Sequence, residues 1–205
     1  AAEIIVEGKK YIPEWCRVMR IQRDIPTYRT EAGVNKTNLR QYVSDLLKVK
    51  GVQCKCIRCR EPRSKEFAEF DVEKIVIKKT VYEASGGTEV FLQAVDPSHD
   101  MLLGFCRLRI PSKPFRSEIT PYSAGIRELH VYGSAVPIGA TGNNDDGAGK
   151  VQHLGLGKKL LAEAERIAKE EYNIKKLLVI SGIGVKEYYR KLGYENDGVY
   201  VSKKL

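Results

Sequence analysis

The stretch that decides the fold is QHLGLGKKLL, residues 152–161, where two glycines stand at the start of a helical run. The first amides of a helix have no partner within the helix, and the helix dipole adds positive potential there. Glycines remove the side chains that would keep a ligand away from those amides, so the turn suits a pyrophosphate. The alternative is a glycine pair that only lets a strand and a helix pack closely.

Two common nucleotide-binding patterns do not fit this stretch. A dinucleotide fingerprint needs G-x-G-x-x-G directly after a strand and an acidic residue at the end of the next strand. Here a long loop precedes the glycines, the third glycine is missing, and LLVISGIG carries no acid. A phosphate-binding loop of the G-K-[ST] type is excluded because the chain contains no such triplet.

The turn resembles the acyl-CoA turn [QR]-x-x-G-x-[GA] of the Gcn5-related N-acetyltransferase superfamily, through Gln152, Gly155 and Gly157. EYYRKLGY, residues 187–194, resembles the late helix of that superfamily, where a tyrosine often lies beside the CoA sulfur. The resemblance implies that acetyl-CoA binds here. Its pyrophosphate would contact the amides of the turn, and we name Gln152, Gly155, Leu156, Gly157 and Lys158.

The chemistry of acyl transfer asks for further groups. A strand with free backbone groups must hold the pantetheine arm, and Glu128, Leu129, His130 and Val131 are placed for that. Tyr189 is our first choice for the acid that protonates the leaving thiolate, and Tyr188 is the second. Glu128 and His130 alternate with Leu129 and Val131, so they share one face of the strand. Either could act as the base. Each could equally be an ordinary polar surface group.

The order of elements predicts the fold class. Apolar alternation predicts three strands between residues 72 and 110 and a fourth at 126–133. A Gly- and Asn-rich loop at 134–151, a long helix, a strand at 177–182, a short helix and a last strand follow. We expect an α/β fold of the Gcn5-related type, with a mixed, mainly antiparallel sheet and helices on both faces. The strands at 126–133 and 177–182 should splay apart to admit CoA.

Positive charge is concentrated in the first third of the chain. Residues 1–65 carry 15 Lys and Arg against 7 Asp and Glu, a net charge of +8. Residues 66–205 carry 20 against 19, a net charge of +1. This asymmetry predicts two modules, of which the first faces a polyanion. The alternative is an ordinary solvated basic surface.

A cluster of cysteines lies in CKCIRC, residues 54–59. The chain shows no signal peptide, so we expect a reducing, cytoplasmic setting without disulfides. Three thiols at this spacing then predict a metal, and structural zinc takes four ligands. We name Cys16, Cys54, Cys56 and Cys59. The alternatives are free thiols or an iron–sulfur cluster, whose bacterial C-x₂-C-x₂-C spacing is absent.

Basic and aromatic side chains surround this cluster. Lysines and arginines contact phosphates, and interleaved aromatic rings such as Tyr11, Trp15 and Tyr28 can stack on bases. This combination predicts binding of single-stranded or looped RNA. The basic residues that we assign to it are Arg17, Arg20, Arg23, Lys55, Arg58, Arg60 and Arg63.

Motifs spread over the whole chain resemble the catalytic subunit of Elongator in its archaeal or bacterial single-subunit form. They are PEWCRVMRIQRDIPT, NLRQYV, CKCIRCRE, YEASGGTEVFL, RELHVYGSAVP, QHLGLGKKLLAEAERIAKEEY and ISGIGVKEYYRKLGY. In that family a radical-SAM domain precedes an acetyltransferase domain. The family forms carboxymethyl-type modifications at C5 of the wobble uridine of tRNA, with acetyl-CoA as acyl donor and a SAM-derived radical.

The resemblance implies a domain organisation. Residues 1–65 would be the C-terminal remnant of the radical-SAM domain, with its zinc site and tRNA surface, residues 66–71 a linker, and residues 72–205 the acetyltransferase domain. The start AAEIIVEGKK, without a methionine, reads as a cut from a longer protein. The C-x₃-C-x₂-C triad of a radical-SAM cluster is absent from this sequence. We therefore expect SAM and a [4Fe–4S] cluster only in the full-length parent.

The function predicted is the acetyltransferase portion of a tRNA wobble-uridine-modifying enzyme. The expected partners are tRNA and acetyl-CoA, with a homodimer as a further candidate and no membrane. Two alternatives stay open, a protein lysine acetyltransferase and a non-catalytic tRNA-binding scaffold. The basic first third favours RNA over a peptide substrate.

Overall fold

A computed structural model describes residues 1–21, 27–34, 38–62, 74–133 and 155–205 of the chain. They form two compact units, Ala1–Glu61 and Pro62–Leu205. The division falls close to the end of the predicted first module at residue 65. The linker predicted at 66–71 and the loop predicted at 134–151 lie outside the described residues.

The first unit is helical. Its helices are α1 (Ala2–Lys9), α2 (Leu39–Val49) and the single turn α3 (Ile57–Arg60), with a 3₁₀ turn at Thr27–Arg29. The first of these was not predicted from the sequence. A small core joins the helices, and its buried members are Val6, Leu39, Val43, Leu47, Cys54 and Cys56.

Helix α2 follows the apolar spacing of its sequence. The predicted face is buried at Leu39, Val43 and Leu47, whereas Tyr42 at its edge is 45% exposed. Asn38 stands at the N-cap, although its side chain makes no capping hydrogen bond. Gly51 has φ +62°, the left-handed conformation expected after a helix C-terminus.

The second unit is a seven-stranded sheet with helices. The strands are β1 (Val76–Ala84), β2 (Gly87–Asp96), β3 (Met101–Ile110), β4 (Ser123–Val131), β5 (Lys176–Val179), β6 (Glu195–Asp197) and β7 (Tyr200–Lys204). Their order in the sheet is β1-β2-β3-β4-β5-β7-β6. Only β4 and β5 pair in parallel among the described strands. The mixed, mainly antiparallel sheet predicted from the sequence is confirmed; β6 is an element that the sequence did not predict.

The long helix α4 (Leu156–Tyr172) covers one face of this sheet. All five residues predicted to face inward, together with Leu156, are buried: Leu160, Leu161, Ala164, Ile167 and Ala168. They pack against Val90, Leu92, Cys106 and Leu108 of β2 and β3. The short helix α5 (Lys186–Arg190) follows a 3₁₀ turn at Ile183–Val185 and contributes Tyr189 to the same core.

Candidate functional site

The two central strands of the sheet, β4 and β5, pair over a short length. Strand β4 pairs with β5 over four residues only, from Ser123–Lys176 to Ile126–Val179. Beyond Ile126, β4 continues to Val131 while pairing with β3 alone among the described strands. The backbone of Glu128–Val131 therefore has one edge that no described strand covers. The pairing stops where β5 ends at Val179, and the splay of these two strands stays a prediction.

A β-bulge lies in β4 directly after its last pair with β5. Arg107 is opposite Glu128 and Leu108 is opposite Ile126, so Arg127 is the extra residue on β4. A bulge of this kind increases the local twist and re-aims the strand beyond it.

The N-terminus of α4 faces this gap. Gly155 is the N-cap, with φ +66°, and no side chain caps the helix. The first intrahelical bond at this end runs from the amide of Lys159 to the carbonyl of Gly155, at 3.0 Å. The amides of Leu156, Gly157 and Lys158 precede it and have no acceptor within the helix. Two lysines and no acidic residue lie in this first turn, so the turn favours an anion.

Gly157 marks the closest approach in the site. A Cβ atom on Gly157 would lie 3.1 Å from Tyr188 Oη and 3.6 Å from Val131 Cγ2. The first turn of α4, the end of β4 and the Tyr188 hydroxyl therefore meet at one point. Gln152, the remaining predicted pyrophosphate ligand, lies among residues 134–154, which are outside the described part of the chain.

The two adjacent tyrosines differ in their surroundings. Tyr189 is 7% exposed and belongs to the core, and its ring packs edge-on against Tyr188 and Tyr194. Burial, with a smaller effect of Tyr188 and Cys106, raises the pKa of Tyr189 to about 12. Burial also raises the pKa of Tyr188, which is only partly buried. Both hydroxyls stay protonated at neutral pH, but only that of Tyr188 is placed against Gly157.

The two predicted bases lie on the sheet face opposite α4. His130 is opposite Phe105 in the register, and their ring centroids are 5.7 Å apart. Glu128 accepts from Arg107 Nε at 3.1 Å, and the same arginine donates to Tyr82 Oη at 3.2 Å. The prediction that Glu128 and His130 share one face is confirmed. Glu128 is engaged in an ion pair with Arg107.

Three of the predicted metal ligands converge in the first unit. The Sγ atoms of Cys54, Cys56 and Cys59 all lie within 4.8 Å of one another. Hydrogen bonds from Cys54 and then Cys59 lower the pKa of the Cys56 thiol, so Cys56 ionises first. Three soft thiolates at this separation fit a tetrahedral zinc ion, whose bonds to sulfur are about 2.3 Å long.

Cys16, the predicted fourth ligand, does not join this group. Its segment reaches α3 through the backbone, because the Cys16 carbonyl accepts from the amide of Ile57 at 2.9 Å. The group that does contact the thiols is Lys9, which the sequence analysis missed. Lys9 Nζ lies 3.6 Å from Cys54 Sγ and 3.5 Å from Cys59 Sγ. The signal was the position of Lys9 on the apolar stripe of α1, with Ala2, Ile5 and Val6.

The predicted RNA-binding residues separate into groups. Arg20, Lys55 and Arg58 are exposed. Arg17 lies in an ion pair with Glu61, at 2.9 Å, and Arg58 pairs with the same carboxylate. Arg60 is buried, which does not favour its predicted contact with a polyanion. Arg23 and Arg63 lie outside the described residues.

This architecture defines a protein of the Gcn5-related N-acetyltransferase fold. Its features are the order of the sheet, the short parallel pairing of β4 with β5, and helix α4 on one face of the sheet. The chain is 49% identical over its whole length to the tRNA uridine(34) acetyltransferase of Methanocaldococcus jannaschii. It is 45% identical, over 99% of its length, to Elongator complex protein 3 of Schizosaccharomyces pombe. The chain belongs to the family of these two proteins.

A solved structure supports the same assignment. The archaeal Elp3 of Methanocaldococcus infernus, with residues 1–46 deleted, matches 100% of the chain with a TM-score of 0.87 and 46% identity. The chain covers 48% of that structure and 38% and 37% of the two curated relatives. It thus spans well under half the length of those relatives. No protein-family model matches the chain.

All five thiols are free. In the part of the chain that the structure describes, no helix has the length and hydropathy needed to cross a membrane.

Proposed function

We propose that this chain binds acetyl-CoA between β4 and β5 and serves as the acetyltransferase portion of a tRNA wobble-uridine-modifying enzyme. The observation that carries the proposal is the gap beyond Ile126 and Val179, which faces the N-terminus of α4. The free edge of Glu128–Val131 would hold the pantetheine arm through its backbone. The amides of Leu156, Gly157 and Lys158 would hold the pyrophosphate. The names of the relatives support the uridine substrate.

We further propose that Tyr188, rather than Tyr189, protonates the CoA thiolate as the thioester breaks. The acid must lie within hydrogen-bond reach of the sulfur and must be protonated before the step. Two observations support Tyr188: burial raises its pKa, and its hydroxyl lies beside Gly157 and Val131, where the first turn of α4 approaches the end of β4. Tyr189 would support the position of Tyr188 through the edge-on contact of their rings, whose centroids are 5.2 Å apart.

Calorimetric titration of acetyl-CoA into the chain tests the binding site. We expect saturable binding by the wild type and its loss in Gly157→Leu, whose side chain would fill the gap. Gly8→Leu is the control, because nothing lies within 4 Å of a Cβ atom at Gly8. Absence of binding by the wild type at millimolar acetyl-CoA would favour the scaffold alternative.

Thioester hydrolysis, measured with and without tRNA, tests the acid. We expect Tyr188→Phe to lower the turnover rate about 100-fold, within the usual range for loss of one general acid. Tyr189→Phe should lower it far less. The opposite order would return the role to Tyr189. Acetylation of a peptide lysine at a catalytic rate, without a response to tRNA, would instead favour the protein acetyltransferase.

We propose that the first unit binds tRNA through the exposed Arg20, Lys55 and Arg58 and holds zinc at Cys54, Cys56 and Cys59. The net charge of +8 in residues 1–65 supports a polyanionic partner. Lys55→Ala should weaken tRNA binding and reduce the slope of log affinity against log salt by about 0.7 to 0.9. Lys169→Ala, at an exposed lysine of α4, is the control. An unchanged slope for Lys55→Ala would remove this residue from the interface.

A cytoplasmic location fits the free thiols and the expected substrate. A homodimer remains a candidate assembly, which analytical ultracentrifugation of the chain tests.

A further inference from the structure

Lys9 is a buried lysine that forms no ion pair with a carboxylate in the described part of its unit. It is 2% exposed at the last position of α1. The described carboxylate pairs of the unit involve other cations: Lys50 with Glu3, Lys10 with Glu7, and Arg17 and Arg58 with Glu61. A buried ammonium destabilises the folded protein unless an anion neutralises it. The groups that Lys9 Nζ contacts are the sulfurs of Cys54 and Cys59.

The charges of the thiol cluster and of Lys9 balance when a divalent ion is present. Three thiolates around such an ion leave one net negative charge in a largely buried site. The Lys9 ammonium cancels that charge and donates N–H bonds to two of the three sulfurs. Without a fourth thiolate from Cys16, a single cation is the complement that the site needs. The C-terminus of α1 also favours a cation at this position.

We infer that Lys9 is a positioning residue of a three-thiolate metal site, where its ammonium neutralises the site and orients the Cys54 and Cys59 sulfurs. This role concerns the first unit alone. It depends on the proposal that the three cysteines bind zinc, and it does not depend on acyl transfer. Groups that hydrogen-bond to metal ligands and orient them typically contribute about 10- to 100-fold to metal affinity.

Metal titrations of the full chain test the inference with Zn²⁺ and Co²⁺ as probes. Zinc affinity is measured by competition with a chromophoric chelator. We expect Lys9→Met to bind zinc at least about tenfold more weakly than the wild type. Lys10→Met is the matched control, because Lys10 is the next residue and its exposed side chain pairs with Glu7. It should bind zinc like the wild type.

The cobalt spectrum separates this role from a merely structural one. Sulfur that loses an N–H donor gives up electron density more easily, so the thiolate-to-Co²⁺ charge-transfer band of Lys9→Met should move to longer wavelength. A variant that was only less well folded would lose band intensity without this shift. Lys9→Gln, which keeps a donor but not the charge, is the second variant, and it should also bind zinc more weakly.

Two negative results have different meanings. If the wild type binds neither ion, the proposed zinc site fails. If the wild type binds zinc and Lys9→Met binds it within about twofold of the same affinity, the inference about Lys9 is overturned while the zinc site stands.

Discussion

At the scale of single residues, the second unit contains a buried carboxylate between two arginines. Glu89 is 1% exposed, and its Oε1 accepts from Arg127 at 2.5 Å and from Arg109 at 3.4 Å. Arg109 is largely buried and also donates to the carbonyls of Ala84 and Ser85. Arg127 is 60% exposed. Loss of the buried carboxylate and loss of the exposed arginine should therefore differ in their cost to stability.

Glu89→Ala should lower the free energy of unfolding by about 3 kcal/mol, because it leaves the Arg109 charge buried and uncompensated. Arg127→Ala should cost less than Glu89→Ala, because the Arg127 side chain is 60% exposed and Glu89 keeps its contact with Arg109. Urea unfolding followed by far-UV circular dichroism measures both. Equal costs for the two variants would contradict this account of the cluster.

The optical signals distinguish the two units in such experiments. The chain has one tryptophan, Trp15, which lies in the first unit. Its fluorescence therefore reports the unfolding of that unit, while circular dichroism reports both. A change caused by Glu89→Ala in the second unit should appear in the dichroism transition.

At the scale of elements, the first turn of α4 uses its two glycines in different ways. Gly155 has the left-handed φ of +66° and open space around it, so its role lies in the backbone conformation. Gly157 has no positive φ but lies against Tyr188 and Val131, so its role is the close approach. Substitutions at these positions should therefore separate stability from function.

Gly155→Ala should lower the stability of the second unit by about 1 to 2 kcal/mol, the cost of the left-handed conformation for a residue with a Cβ. Gly155→Asn should cost less, because asparagine enters this region more readily. Thermal unfolding followed by circular dichroism measures the difference. An alanine variant as stable as the asparagine variant would show that the cap does not need this conformation.

Gly157→Ala should leave stability nearly unchanged, because alanine favours a helix by up to about 1 kcal/mol over glycine. Its Cβ would nevertheless push against the Tyr188 hydroxyl. We therefore expect weaker acetyl-CoA binding or slower hydrolysis in a fully folded variant. Wild-type activity in Gly157→Ala would show that the Tyr188 side chain can move away from the added Cβ without loss of binding or hydrolysis.

Hydrophobic spacing predicted the elements best where they are long and amphipathic. The buried face of α4 and the three strands before β4 follow directly from it. It could not rank Tyr188 and Tyr189, because both are adjacent on one short helix and only a distance to Gly157 separates them. Cys16 was predicted as a metal ligand from its residue type alone. In the structure the thiols of Cys54 and Cys59 contact Lys9 instead.

At the scale of the whole molecule, the core of the second unit contains groups that resist ionisation. Burial raises the pKa of Cys106 to about 12, with a smaller contribution from Glu128, and it raises the pKa of Tyr189 to a similar value. In the unfolded chain these groups ionise near pH 9 and pH 10. The folded unit therefore holds protons that the unfolded chain releases in alkaline solution.

These two groups leave the free energy of unfolding of this unit unchanged between neutral pH and about pH 9, and they make it fall as the pH rises toward 12. Tyr189→Phe removes one of the buried protons, so its decline above pH 10 should be shallower by about 1 kcal/mol per pH unit. Tyr122→Phe, at a ring that is 56% exposed, is the control. Parallel declines in wild type and Tyr189→Phe would contradict the assigned pKa.

The four-residue parallel pairing of β4 with β5 also has a consequence for the order of folding. Strands β1 to β4 are joined by antiparallel pairings between consecutive strands, whereas β5 must find β4 across the 49 residues from 127 to 175. Loop closure of that length is entropically costly before contacts form. We therefore expect the four-stranded meander to nucleate first and β5 to dock late. The cleft that we propose for acetyl-CoA would then be the last part of the second unit to form.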